Sequence, residues 1–255
     1  MIVREENEKY ILTRQNDHAH LSGEIARHFE HFFLADPHFK DCLFAIYEHD
    51  RSWILPDALP EWNAITERPY DFIDYPIEEK LNYYRLGLAE TEEMNPYAGL
   101  LCSMHYTSFI KKETADPLSL EFLQAENKRQ NRLRTSLELS DGNLLHKQFQ
   151  LLQLCDNISL YLCLNRPGTN KDEEHYFFRK GFKNSSGFSP NGKKDLIAYW
   201  PERDRINIEP YPFKDPFEVS IDQKYLLKQE IRKNGLKKAF LQAEAKTLSI
   251  QISKG

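Results

Sequence analysis

Along the first two thirds of the chain, apolar side chains recur every three or four positions. Leu21, Ile25, Phe29 and Phe32 form one such line behind the capping candidates Asn16 and Asp17, which predicts an opening helix of roughly 18 residues. Asp36-Pro37 restarts the chain, and Phe39, Leu43, Ile46 and Asp50 mark the stripe of a second helix that ends near Trp53, ahead of Pro56 and Pro60. Residues 56–76 hold four prolines and several aromatics without a steady period. That pattern predicts an ordered loop wrapped over the helices and able to act as a lid. Helical period returns over 77–93 and again from Asn95-Pro96, where Ala98, Leu101, His105 and Phe109 share a register. A longer, more polar helix is predicted at 117–139 on Leu118, Phe122, Leu133 and Leu137, with Ser140-Asp141-Gly142 as its stop.

The next segment, Asn143–Asn165, is apolar nearly all round and so belongs at the centre of a bundle. Arg166-Pro167-Gly168 stops it. From His175 onward the pattern changes to short alternating runs, Ile206-Asn207-Ile208, Phe217–Ile221 and Leu248–Ile252, separated by Gly and Pro turns and joined by a helix at 235–245. The expected fold is mainly α: a helical bundle over 1–167, followed by a small antiparallel β-sheet over 168–255 packed on it.

Composition narrows the function. With 255 residues, 40% hydrophobic and 13% aromatic, the chain can bury a core. A net charge of -5 gives no general attraction to phosphate backbones, and the basic stretches Lys128–Arg134 and Lys228–Lys238 read as solvated faces, so nucleic acid is not an expected partner. The start MIVREENEKY is charged, and the apolar run Leu144–Leu164 is interrupted by His146, Lys147, Gln148, Asp156 and Asn157. Neither a signal peptide nor a membrane span fits. Cys42, Cys102, Cys155 and Cys163 form no CxxC pair, which points to a reduced, cytoplasmic setting.

Chemistry-bearing residues fall on the apolar stripes. Asp50 shares its stripe with Ile46, with His49 beside it; His18 is in register with Leu21 and Ile25; His105 continues the line of Leu101. Asp156 sits among Leu152, Leu160 and Cys163 on the most apolar helix of all. A buried carboxylate demands a cation, hydrogen bonds or a metal, and each residue taken singly can also be a hydrogen-bonded core group. Together they offer three imidazoles and two carboxylates from four helices, a set suited to a divalent ion.

The order His18, then His49-Asp50, then Asp156 in LCDNISLYL resembles the HD-domain superfamily of metal-dependent phosphohydrolases, with His105 in SMHYTSF matching the extra histidine of some members. The stretches QNDHAHLSGEIARHF, NPYAGLLCSMHYTSF and LLQLCDNISLYLCL are also similar to an uncharacterised bacterial family known as a domain of unknown function. Where many superfamily members continue the doublet with Gly and a basic residue, this chain has Arg51-Ser52-Trp53. The resemblance implies metal ligands His18, His49, Asp50, His105 and Asp156, and a metal-activated water attacking a phosphate ester, a nucleotide being one candidate. The ion is Mn, Fe, Mg, Co or Ni, one per site with a second allowed. Asp50, or Asp17, would take the proton; His105 would steady the phosphate; Arg51, Tyr106 and Gln153 are ligand-contact candidates. The expected partner is a small phosphorylated molecule, without nucleic acid or membrane, and a homodimer is allowed. Two alternatives stay open: a di-iron oxygenase-like enzyme on the same scaffold, or a non-catalytic binding protein.

Overall fold

Residues 2–13 are rich in β-branched and aromatic side chains around a turn at Asn7-Glu8. In the computed structural model, which describes residues 1–139 and 142–255, they form a hairpin of β1 (Ile2–Glu6) and β2 (Lys9–Thr13). Helix α1 (Gln15–Arg27) follows at once, its first amide donating to the buried Asp57 carboxylate at 2.6 Å. It is shorter than its sequence period suggests, because Glu30–Phe32 tighten into a 3₁₀ turn. After α2 (Phe39–Glu48), a 3₁₀ turn at Arg51–Trp53 opens the proline-rich loop. That loop carries the two-residue strands β3 (Trp62–Asn63) and β4 (Arg68–Pro69).

Helices α3 (Ile77–Met94), α4 (Pro96–Ser108) and α5 (Pro117–Ser136) come next, then α6 (Gly142–Leu164). Asn95 and Asp116 cap α4 and α5 by accepting from the Ala98 and Ser119 amides. Of the expected stop Ser140-Asp141-Gly142, the first two residues lie outside the described ones. The rest of the chain gives β5 (Ile197–Glu202), β6 (Arg205–Glu209), β7 (Phe217–Leu227), the short α7 (Lys228–Asn234) and α8 (Leu236–Gln242), and β8 (Ala245–Lys254). The helix expected at 235–245 is α8, and a second one, α7, precedes it, the two separated at Gly235, whose φ of 79° lies in the left-handed region.

The expectation of a mainly α bundle with a small C-terminal antiparallel sheet is corrected here: the architecture is α/β. One curled sheet of six strands runs β1-β2-β7-β8-β6-β5. It draws strands from both ends of the chain, and the β6–β8 pair is parallel. The physical reason lies in the N-terminal hairpin, where Arg4, Glu5, Glu6, Glu8 and Lys9 hide the strand pattern. The hairpin completes the sheet because β2 pairs with β7, Lys9 opposite Leu227 through Leu12 opposite Lys224.

The sheet has two occupied faces. On one, Ile2, Val219, Ile221, Ile250 and Ile252 join the main core with the large helices. On the other, Val3, Tyr10 and Leu12 pack against Ile231, Leu236 and Phe240 of α7 and α8. Buried Arg4 links sheet to helix, donating to the Cys163 and Asn165 carbonyls at the end of α6, at 2.8 and 3.0 Å. Among the described residues no helix is long and apolar enough to cross a membrane.

Candidate metal centre

Helix packing sets the ligand positions. Asp156 lies in the middle of α6, among the buried Leu152, Cys155, Ile158 and Leu160 of the same helix. His18 lies in the second turn of α1, which packs along α6, and its side chain is 0% exposed. The last helical residue of α2 is Glu48, so His49 is its C-cap and Asp50 begins the 3₁₀ turn. Both stay buried because α3 presses on that turn at Gly87: a Cβ placed there would fall 2.6 Å from the Ser52 Cα and amide nitrogen. Gly87→Ala is therefore expected to move the turn that carries Asp50, lowering stability by about 1–3 kcal/mol and weakening metal affinity. Denaturant unfolding and metal titration read the two effects, and unchanged affinity would show that Asp50 does not depend on this contact.

The four elements converge on one point. His18 Nε2 lies 3.0 Å from Asp156 Oδ1 and 3.7 Å from Asp50 Oδ2. His49 Nε2 lies 3.5 Å from Asp156 Oδ1 and 3.7 Å from Asp50 Oδ2. Two ligands each about 2.1 Å from an ion and about 90–110° apart sit roughly 3.0–3.4 Å from one another. The spacing thus matches a coordination shell, and ligand atoms of His18, His49 and Asp156 all fall within 4.8 Å of one another. This buried cluster can hold a metal ion. His105, on α4, meets the other oxygen of Asp156, with Nε2 3.6 Å from Oδ2.

Outer contacts orient the rings. His49 Nδ1 lies 2.8 Å from the Ile46 carbonyl, which can only accept, so the proton is on Nδ1. In the neutral ring the lone pair is then on Nε2, a buried atom without a hydrogen-bond partner that faces both carboxylates. That orphan is the atom a metal would satisfy. His18 Nδ1 bonds the Ser159 hydroxyl, which also reaches the Asp156 carbonyl and Ser22 Oγ. A hydroxyl can donate or accept, so Ser159 serves His18 whether its Nε2 carries a proton or binds an ion.

Charge follows the same geometry. Burial pushes the His49 imidazole down, but the carboxylates of Asp50 and Asp156 outweigh it and hold it at about 9. Burial likewise pushes Asp156 up, yet the His18 ring hydrogen-bonded to it and the His49 imidazole beside it carry it far below the ordinary carboxylate range. Burial lowers His105 to about 3, leaving it neutral at pH 7. Burial raises Asp50. In the metal-free protein the raised His49 contributes stability that is complete below its unfolded value of 6.5 and lost as pH climbs through about 9. A divalent ion must expel that proton. Metal affinity is expected to rise with pH up to about 9, and calorimetry in buffers of different ionisation enthalpy should find about one proton released per ion at pH 7.

A cavity of about 390 Å³ opens onto the cluster, lined by His18, Asp50, His105 and Asp156 and by a surround of aromatic side chains. Gln153 also lines it. Tyr106 is buried behind the cluster, its hydroxyl donating to Asp50 Oδ1 at 3.4 Å. Two candidates sit elsewhere. Asp17 lines a separate cleft on the far side of α1, with Arg14, His20, Asp222 and Lys224. Arg51 points away and pairs with Glu90 at 2.7 Å and Glu48 at 3.1 Å.

A family model described as a protein of unknown function, DUF3891, matches residues 1–228, a span that includes every ligand candidate. The chain belongs to the DUF3891 family. No curated protein and no solved structure matches it. In this DUF3891 chain the site also uses residues that the sequence reading passed over. Ser22 lies four positions after His18 and Ser159 three after Asp156, so the helical spacing that found the ligands would also have found their supports. Lys80, the one lysine among the described residues that line the cavity, has no such signal.

Proposed function

We propose that this DUF3891 protein is a metal-dependent phosphohydrolase whose ligand set is of the HD-domain kind. The observation that carries the reading is the buried, unpartnered Nε2 of His49 facing Asp156 and Asp50. A divalent ion bound there, Mn, Fe, Mg, Co or Ni, would lower the pKa of a coordinated water toward neutrality and polarise a phosphoryl oxygen. His18, His49 and Asp156 would hold that ion, and Asp50 would complete the set. Asp50 also takes the water's proton, its Oδ2 facing the imidazoles and its Oδ1 fixed by the Tyr106 hydroxyl. Neutral His105 lines the cavity and holds a phosphoryl oxygen. The water oxygen bonds to phosphorus as the ester P–O bond breaks; the departing alkoxide takes up the proton that Asp50 accepted from the water, leaving an alcohol and inorganic phosphate.

The test is metal analysis of protein purified without added metal, followed by phosphate-ester hydrolysis with each of the five ions. Metal-loaded protein inert toward every ester would overturn the reading. One observation favours a second: the closed set His18, His49 and Asp156 is two imidazoles and one carboxylate, the donor set of non-haem iron oxygenases. Iron in the purified protein, with a visible absorption band and substrate-dependent oxygen uptake, would select it.

A further inference from the structure

Resting on the phosphohydrolase reading, we infer that the cavity selects phosphomonoesters of aromatic or apolar alcohols, with Lys80 as the anchor for the phosphate charge.

The argument begins with charge. A divalent ion held by neutral imidazoles is balanced by the carboxylates of Asp50 and Asp156. Among the described residues Lys80 is then the one lysine or arginine on the cavity wall, and Asp71 and Asp74 act on it only from beyond ion-pair distance. Its Nζ donates to the Phe72 and Ile73 carbonyls at 3.2 and 3.4 Å. An ammonium has three donors, so one is left for an oxyanion. No carboxylate among the described residues comes within ion-pair distance of it. One lysine suits one phosphate; a chain of phosphates would bring charge that nothing else on the wall meets.

The remainder of the wall is apolar and aromatic. Trp53, Phe72 and Tyr84 form the interior, while Phe109 and Phe177 border the cavity with 54% and 39% of their surface exposed. Exposed ring faces beside a buried reaction centre offer stacking to a flat leaving group. The hydroxyls of a sugar would lose water against the same rings, where the polar uncharged groups are the Gln15, Gln153 and Asn157 amides, the Tyr84 hydroxyl and the Trp53 indole N–H. The phosphate therefore sits between the ion and Lys80, and the alcohol portion lies toward Phe109 and Phe177.

Calorimetric binding of three hydrolysis-resistant probes to the manganese-loaded full chain tests this. Benzylphosphonate is expected to bind at least tenfold more tightly than methylphosphonate or 2-hydroxyethylphosphonate. Phe109→Ala and Phe177→Ala, both at exposed positions, should erase that ratio. Lys80→Gln should weaken all three about tenfold while metal content stays at the wild-type level. Equal affinity for the three probes, or a Lys80→Gln protein that binds them as wild type does, overturns the inference and leaves the phosphohydrolase reading standing. If none binds the metal-loaded protein, that reading falls and the inference with it.

Discussion

Asp156→Asn should strip the bound ion from the protein while leaving its helical circular dichroism signal in place. The substitution keeps the side-chain volume, so α6 still packs, but it removes the carboxylate whose Oδ1 lies 3.0 and 3.5 Å from two imidazoles. Loss of an outer-shell partner of a metal typically costs 10–100-fold in affinity, roughly, and loss of a direct charged ligand more than that. Metal affinity in Asp156→Asn is accordingly expected to fall by more than about 100-fold, read by metal analysis after dialysis. Asp50→Ala, which removes the oxygen 3.7 Å from both imidazoles, is expected to lose the ion too. Wild-type metal content in the Asp156 variant would remove the proposed centre altogether.

Chelation carries the second large effect. A ligand that binds only the folded state, at about 100 times its Kd, stabilises by about 2.7 kcal/mol. For a chain of this size each kcal/mol moves Tm by roughly 2–4 °C, so saturating metal should raise Tm by roughly 5–10 °C and excess chelator should reverse it. His49→Ala should abolish the metal-dependent part of the shift. A Tm indifferent to both metal and chelator would favour the open alternative of a binding protein without an ion.

How much of this was legible in the sequence depended on period. His18, His105 and Asp156 could be placed on inward faces because each stands three or four positions from buried apolar neighbours in a long helix. Asp50 was harder. It lies beyond the end of α2, and what buries it is the close approach of Gly87 from a helix almost forty positions away, which no local pattern encodes. The sheet was misread for a related reason: the hairpin at 2–13 mixes strand-forming residues with charges that belong to its solvent edge, and its pairing partner β7 is over two hundred residues distant. Lys80 went unnoticed because the carbonyls it contacts come from the aperiodic loop before α3. Arg51 looked like an anion contact by adjacency to the doublet, and the helical turn instead aims it at Glu48 and Glu90.

The Ser159 hydroxyl and the His18 ring join segments 141 positions apart, and the Arg4 guanidinium reaches α6 across 159. Such long loops close late, because the entropy of joining distant segments must be met before their contacts form. The ion would consequently find no complete site in a partly folded chain. Metal uptake during refolding would then act as a clock for the final docking of α1 onto α6, lagging behind the appearance of helical signal.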